Sequence, residues 1–324
     1  TEIMWAKPTD ILERWKAHEI KVAPPVVTLL MEIERTLERV ERDMESAAED
    51  IAERLPGRRS ILFAHGVEVV PIKTATLPPA DHTNCYLVGD PDGEFIIVDP
   101  AVRMREDMEA LATAVERHRG EVKAILFTHS HGDHLADMSL LREAFDVPVW
   151  GSDYTAKSVP CQRVLTDGET LTLGQQTWTV LITPGHHPGH VCLFSEAGLV
   201  AGDMLAGIGT ILIPPHTGDM NEYLLQLERL KALKPHLVFP SHGPVVAIPD
   251  RLIDHYLSHR RARHARVLEA VRNGASQLVK IAEEAYADTP DAHPGLAVDQ
   301  TLSHLRALAA DGTVCEENGT WRTN

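Results

Sequence analysis

Four side chains that commonly bind metal ions lie within six consecutive positions of this chain: His129, His131, Asp133 and His134. They follow an apolar run at residues 122–127, which is typical of a buried strand, so we expect the cluster on the loop that leaves this strand. Neutral imidazole is the commonest metal ligand in proteins, and a neighbouring carboxylate suits a hard or borderline divalent cation. The spacing therefore predicts a metal site.

Three more predicted strands end in residues that could bind a metal. The apolar runs at 178–182, 198–201 and 237–239 are followed, respectively, by His186, His187 and His190, by Asp203, and by His242. Open α/β architectures place their chemistry at the carboxyl ends of strands. The repeated pattern predicts that these side chains meet the first cluster at one edge of the fold.

Taken in order, these motifs resemble those of the metallo-β-lactamase superfamily of hydrolases. Two earlier segments, 83–88 and 95–99, are similar to its first core strand and to its strand that ends in Asp. The resemblance covers residues 60–250 and implies an α/β (α+β) fold, namely a four-layer αββα sandwich of two sheets with helices outside. The other matching motifs are Thr-His-Ser-His-Gly-Asp-His at 128–134, Thr-Pro-Gly-His-His-Pro-Gly-His at 183–190, Gly-Asp at 202–203 and Ser-His-Gly-Pro at 241–244.

The resemblance also implies seven ligands in two metal positions. His187 stands where the superfamily usually has Thr, and we expect its side chain to point to solvent. His190 and Asp99 are expected to support ligands rather than to bind metal. The implied ligands are His129, His131 and His186 at the first position, Asp133, His134 and His242 at the second, and Asp203 as the carboxylate that bridges both.

The implied reaction needs no Ser or Cys nucleophile. Two Zn²⁺ ions are expected because both Asp133 and Asp203 are present, with iron or manganese as alternatives. A divalent ion lowers the pKa of bound water to about 7, so the expected nucleophile is a metal-bound hydroxide. His216, which follows Asp203 along the chain, is a candidate proton donor to the leaving group.

Residues 1–60 are expected to form a charged helical extension before a catalytic domain at 61–250. Apolar residues recur at three- and four-residue steps between Val26 and Leu55, which predicts one long helix. Its apolar seam either packs on the chain's own catalytic domain or forms a coiled-coil-like homodimer contact. Residues 4–33 are similar to the tail of a Nudix domain, but the clustered Glu residues of a Nudix catalytic box are missing, so no Nudix activity is implied.

Residues 251–324 are predicted to form a separate small module. Its pattern gives helices at 253–273, 278–286 and 296–310, followed by a hairpin with an Asn-Gly turn at 312–321. Helices followed by a hairpin favour a winged-helix-like module. With this module the chain is similar to the superfamily branch that contains β-lactamase-like protein 2, whose members include an endoribonuclease and, among fungal relatives, thioesterases acting on carrier-bound polyketides.

The substrate class has several alternatives at this stage. A small-molecule ester, thioester or lactone is favoured, single-stranded RNA is the alternative substrate, and a nucleic-acid-binding module protein is a further alternative. The formal net charge of −16 opposes RNA binding, since proteins that bind phosphates do so with clustered Lys and Arg. The basic run from Arg260 to Arg266 fits a solvated helix between two domains better than an RNA-binding face.

Composition favours an intracellular enzyme. Hydrophobic residues make up 44% of the chain and charged residues 24%, as in ordinary globular proteins. The four cysteines lack Cys-x-x-Cys spacing, so no disulfide framework is predicted. No apolar run is long enough to span a membrane and no signal-like segment opens the chain, so we expect a cytoplasmic location and no membrane partner.

Overall fold

Two β-sheets that pack face to face, with helices on their outer faces, form the centre of this protein. The computed structural model describes residues 6–40, 43, 45–47, 49, 51 and 60–324. The layers confirm the αββα sandwich implied by the sequence motifs.

The first sheet has seven strands, which lie side by side in chain order. The first four strands pair antiparallel and the last four pair parallel. The strands are β1 (Ile61–Ala64), β2 (Val67–Lys73), β3 (His82–Gly89), β4 (Glu94–Val98), β5 (Glu121–Leu126), β6 (Val149–Gly151) and β7 (Arg163–Val164).

The second sheet has five strands in the order β12-β11-β10-β9-β8. Strands β9 and β11 are both antiparallel to β10, and β12 is parallel to β11, so β9, β11 and β12 run in one direction. Their bounds are β8 (Thr170–Leu173), β9 (Gln176–Ile182), β10 (Val191–Ser195), β11 (Gly198–Gly202) and β12 (Val238–Pro240).

The core between the sheets is built from side chains that alternate along the strands. In β3, Tyr86 and Val88 face the second sheet, whereas Cys85 and Leu87 face the outer helices. This alternation follows from the two-residue period of a strand, and both faces of β3 are apolar because both are buried. The largest side chains of the central layer include Trp178 and Phe239.

Helices cover both outer faces. Helices α3 (Arg105–Glu116) and α4 (Met138–Ala144) pack on the first sheet. Helix α5 (Met220–Ala232) and the start of α6 (Pro249–Arg272) pack on the second sheet. The Asp137 side chain accepts hydrogen bonds from the N–H groups of Ser139 and Leu140, so Asp137 is the N-cap at which α4 begins.

The N-terminal extension packs on the catalytic domain. Helices α1 (Pro8–Lys16) and α2 (Pro24–Arg39) share a small core with Leu62 of β1, and the Lys21 ammonium donates to the carbonyls of His236 and Ala247. The prediction of one helix from Val26 to Leu55 is wrong, because α2 ends at Arg39. Asp43 accepts a hydrogen bond from the Ser46 N–H, as an N-cap residue does, so a new helical segment starts after it. Most of residues 52–60 lie outside the described part of the chain.

The C-terminal residues form their own small core. The end of α6, α7 (Leu278–Ala285), α8 (Pro294–Ala310) and the hairpin β13–β14 (Val314–Glu317, Thr320–Thr323) surround Trp321 and Leu305. The order of three helices and a hairpin agrees with the predicted elements, and the winged-helix classification stays a prediction. In the part of the chain that the structure describes, no helix combines the length and apolarity needed to cross a membrane.

Candidate metal centre

Three imidazole nitrogens of the predicted first position converge on one point. The distances are 3.0 Å from His129 Nε2 to His131 Nδ1, 3.3 Å from His186 Nε2 to His129 Nε2, and 2.9 Å from His186 Nε2 to His131 Nδ1. Ligands about 2.0–2.1 Å from a tetrahedral zinc ion lie about 3.3 Å apart, so this spacing is close to that of a bound set.

The hydrogen-bond partners of these rings fix which nitrogens carry lone pairs. His186 Nδ1 lies 2.7 Å from the Leu212 carbonyl, which only accepts, so Nδ1 is protonated and Nε2 has a free lone pair. The Thr128 hydroxyl donates to Asp99 and therefore accepts from His129 Nδ1, which leaves His129 Nε2 with its lone pair. The two Nε2 atoms are thus ready to bind a cation.

The predicted second position is built in the same way. His134 Nδ1 donates to Asp99 Oδ2 at 2.8 Å, and His242 Nδ1 donates to the His82 carbonyl at 3.0 Å. The Nε2 lone pairs of His134 and His242 therefore face Asp133, whose carboxylate oxygens lie 4.0 and 3.4 Å away, respectively. Histidines that ligate metals are typically oriented through such bonds at the other ring nitrogen.

Asp203 lies between the two sets. Its Oδ2 is 3.4 Å from His186 Nε2 and 3.5 Å from His134 Nε2, and its Oδ1 is 3.4 Å from His242 Nε2. One carboxylate therefore faces ligands of both positions. All seven residues that the sequence motifs single out lie in three overlapping groups whose donor atoms are within 4.8 Å of one another.

Electrostatics divide the cluster into a neutral half and a charged half. Burial, reinforced by the neighbouring imidazoles of His186 and His134, lowers the pKa of His131 to about 4, so this ring stays neutral. Burial also opposes the charge on His242, but Asp203 and Asp133 outweigh it and raise its pKa to about 10. Burial would raise the pKa of Asp203, but His134 and His242 hold it well below its ordinary value. The second position therefore favours positive charge, which is a proton on His242 Nε2 or a cation that replaces this proton and binds the lone pair.

The residues fit a pair of divalent ions. Two buried atoms of the cluster, His134 Nε2 and Asp203 Oδ1, have no hydrogen-bond partner. Buried polar atoms are almost always paired, and leaving them unpaired costs stability. Two such atoms among converging lone pairs and ionised carboxylates are what a cation site requires.

Two predicted supporting residues hold this geometry. Asp99 accepts hydrogen bonds from His134 and from both the N–H and the hydroxyl of Thr128. His190 Nδ1 bonds Thr183 Oγ1, and its Nε2 accepts from the Asp203 N–H at 2.9 Å. Both ring nitrogens of His190 are occupied, which agrees with the prediction that it supports a ligand.

The expected position of His187 is wrong. Its ring is buried rather than solvated, because Ser130 Oγ lies 3.1 Å from Nε2, the Gly189 N–H donates to Nδ1, and Tyr154 packs edge-on against it. Burial lowers its pKa to about 3. With both nitrogens engaged, His187 braces the loop of Ser130 and is not placed to bind metal.

His216 lies away from the cluster. Its ring is exposed and its Nδ1 is 3.4 Å from the Arg306 guanidinium. Only Pro214, among residues 213–217, lines the cavity next to the cluster. The structure gives no support to His216 as the proton donor.

A cavity of about 340 Å³ opens over the cluster. His131, Asp133, His186, Asp203 and His242 form its floor. Its walls come from two loops, at residues 75–80 and 206–214, and the first of them lies outside the sequence motifs. No spacing pattern links the first loop to His242, because Thr76 Oγ1 and His242 Nε2 come within 3.5 Å of each other only in the folded chain.

Comparisons with known proteins agree with this geometry. A family model described as the metallo-beta-lactamase superfamily matches residues 78–242. The "Beta-lactamase-like protein 2 homolog" of Caenorhabditis elegans is 25% identical over 240 residues, which are 72% of this chain and 80% of the relative. The "Atrochrysone carboxyl ACP thioesterase" of Aspergillus fumigatus is 25% identical over 194 residues, 59% of this chain and 60% of the relative.

A solved structure shows the same fold. A beta-lactamase domain protein from Burkholderia ambifaria superposes with a TM-score of 0.71 at 24% identity, over 85% of this chain and 96% of its own. The coverage extends beyond the family-model match, so the shared fold includes more than the central sandwich.

Proposed function

Because this chain belongs to the metallo-β-lactamase superfamily of hydrolases, we propose that it is a dinuclear metal-dependent hydrolase that cleaves an ester, thioester or lactone bond. The observation that carries the proposal is the carboxylate of Asp203 between two sets of converging ligands. Zinc is the metal we propose, because mixed His and Asp ligands with short N···N spacing suit it.

Each half of the cluster has a separate task. Bound divalent ions would supply Lewis-acid chemistry, polarising the substrate oxygen and making water nucleophilic near neutral pH. The neutral rings of His129, His131 and His186 supply lone pairs, while Asp133 and Asp203 supply negative charge. The buried Asp99 and His190 keep these groups oriented, so little reorganisation is needed when substrate binds.

The cavity walls favour an apolar substrate. Leu77 and Ile208 are 50% and 43% exposed at its edge, and Pro78, Pro79 and Leu212 continue the apolar wall. The described residues that line this cavity include no Lys or Arg. A substrate with a polarisable carbonyl and an apolar acyl group matches these walls, whereas a polyanion finds no Lys or Arg side chain there.

The basic run from Arg260 to Arg266 offers little accessible positive charge to RNA, because two of its arginines are buried and two face carboxylates. Arg260 and Arg263 are 3% and 5% exposed, so the prediction of a solvated helix is wrong for both. Arg261 pairs with Glu228, and Arg266 lies 3.6 Å from Asp288. Phosphate recognition needs accessible cations, so this stretch supports acyl chemistry over endoribonuclease activity. A thioesterase among the relatives agrees with that choice.

Side-by-side turnover tests the proposal. Zn²⁺-loaded protein is given acyl thioesters of increasing chain length and, separately, labelled single-stranded RNA. We expect thioester hydrolysis that improves with acyl apolarity, and Asp203→Ala should lower it by at least about a thousandfold. Asp146→Ala, at an exposed carboxylate after α4, is the matched control and should keep full activity. RNA cleavage without acyl turnover, or activity that survives Asp203→Ala, would contradict the proposal.

A further inference from the structure

The loop at residues 210–215 has two roles at the metal centre. Its residues Ile211, Leu212 and Pro214 form part of the cavity wall. The Leu212 carbonyl also accepts the hydrogen bond from His186 Nδ1 that sets the ring of this ligand. The position of one backbone carbonyl therefore decides where the His186 lone pair points.

Helix α8 of the C-terminal module forms hydrogen bonds with Ile213, the loop residue next to Leu212. Gln300 Oε1 accepts from the Ile213 N–H at 3.2 Å, and Gln300 Nε2 donates to the Ile213 carbonyl at 2.8 Å. Ser303 Oγ donates to the same carbonyl at 2.7 Å. Gln300 and Ser303 are both buried, so these bonds are shielded from competing water.

Helix α6 fixes the orientation of the Gln300 amide. The buried guanidinium of Arg260 donates to Gln300 Oε1 at 2.9 Å and also to the Ile211 carbonyl. A guanidinium has only donors, so the amide oxygen must face Arg260, which leaves the amide nitrogen to donate to the Ile213 carbonyl. Arg260 thus bonds the loop at Ile211, before Leu212, and orients the Gln300 side chain that bonds the loop at Ile213, after Leu212.

We propose that Gln300, oriented by Arg260, is a positioning residue for the metal ligand His186, and that the C-terminal module completes the catalytic site. This inference rests on the proposed metal-dependent function. Gln300 acts through the backbone of Ile213 and Leu212 and touches no reacting atom. It gives a role to the buried Arg260 of α6 that neither RNA binding nor a solvated linker explains.

The test compares metal binding by Gln300→Leu with that by Thr301→Val in the full-length protein. Leu keeps the volume of Gln300 but removes every bond to Ile213 and Arg260. Thr301 is buried on the same helix and bonds only the Ala297 carbonyl one turn away, so Thr301→Val is the matched control. Zn²⁺ affinity is measured by chelator competition, and the Co²⁺-substituted protein is examined by electronic absorption.

We expect Gln300→Leu to lower the affinity for one of two Zn²⁺ ions by about tenfold or more, as loss of an orienting partner typically does. The affinity for the other ion should stay unchanged. Its Co²⁺ ligand-field bands should change, while Thr301→Val should match the wild type in both measurements. Wild-type affinity and spectrum in Gln300→Leu, or equal weakening of both ions, would overturn the inference alone. A wild-type protein that binds no Zn²⁺ or Co²⁺ would overturn the proposed function and this inference together.

A milder variant covers the case in which Gln300→Leu does not fold. Ser303→Ala removes one bond to the Ile213 carbonyl and keeps the Gln300 pair. We expect Ser303→Ala to lower the affinity for the same Zn²⁺ ion by about two- to fivefold, a smaller effect than loss of the whole contact. Folded Ser303→Ala protein with unchanged affinity at both positions would overturn the inference.

Discussion

Asp99→Asn changes one atom of a buried carboxylate that orients ligands in both metal positions. Oδ1 accepts from the Thr128 N–H, and Oδ2 accepts from the Thr128 hydroxyl and from His134 Nδ1. An amide has one oxygen and one nitrogen, so it cannot accept at both places. In one orientation its NH₂ group faces His134 Nδ1, which forces the ring proton to Nε2, where a metal would bind.

The other orientation keeps the correct His134 tautomer at a cost. It places the amide NH₂ against the Thr128 N–H and leaves that buried donor unpaired, which costs about 1–3 kcal/mol. Metal binding requires this second orientation, so the cost is subtracted from the binding free energy. Since 1.4 kcal/mol corresponds to tenfold, Zn²⁺ should bind the second position about 5- to 150-fold more weakly.

Chelator competition with metal-depleted Asp99→Asn protein measures this loss directly. Asp90→Asn is the matched control, because Asp90 accepts from the N–H groups of Asp92 and Gln175 and lies at the opposite end of β3 from the metal centre. We expect Asp90→Asn to lower stability and to leave both Zn²⁺ affinities unchanged. Asp99→Asn protein that binds two Zn²⁺ ions with wild-type affinity would refute the assignment of ring protons in this cluster.

Two further predictions concern backbone space and pH. Gly202 has a left-handed backbone (φ 52°), and a Cβ there would overlap the His190 ring that accepts from the Asp203 N–H, so Gly202→Ala should lower Zn²⁺ affinity. Gly312 is also left-handed, but the space around an added Cβ is open, so Gly312→Ala is the control. It should lower stability by only about 1–2 kcal/mol and keep the affinity for both Zn²⁺ ions. Equal Zn²⁺ affinity in the two variants would contradict this reasoning. Burial, reinforced by Arg260, holds the pKa of His304 well below 6.5, so the unfolded chain binds the extra proton and stability falls as the pH drops below 6.5. His304→Asn should make this fall shallower by up to about 1.4 kcal/mol per pH unit, measured by chemical denaturation at pH 7.5, 6.5 and 5.5, and an unchanged slope would contradict the buried neutral ring.

The parts of the site that the sequence predicts are those in which local pattern and topology coincide. His129, His186, Asp203 and His242 each follow a short apolar run, and each run is a strand. Strand pairing then brings these strand ends to one edge, because β4 is parallel to β5, and β9, β11 and β12 share a direction. Residue type and order along the chain were sufficient for this step.

Other features depend on contacts between distant segments, which local pattern does not encode. His187 looks like an exposed loop residue, but Ser130 and Tyr154 enclose it only in the folded chain. Arg260 lies in a basic run that is typical of a solvated helix, yet it is buried because carbonyl and amide oxygens from the loop before α5 and from α8 replace water around it. Charge alone therefore gives the wrong prediction when partners come from elsewhere in the chain.

The charge of the cluster bears on how an acidic protein would bind the electron-rich oxygen of the proposed substrate. The pKa values of Asp133 and Asp203 are held low, so both contribute negative charge at neutral pH, two units in all. In the proposed dinuclear enzyme, two divalent cations would bring four positive units, which would leave a local excess of two in a chain whose formal net charge is −16. Attraction for a carbonyl or carboxylate oxygen then comes from the centre itself rather than from Lys or Arg on the walls. The proposed acyl substrate would then be selected by the fit of its apolar group to the cavity wall at Leu77 and Ile208.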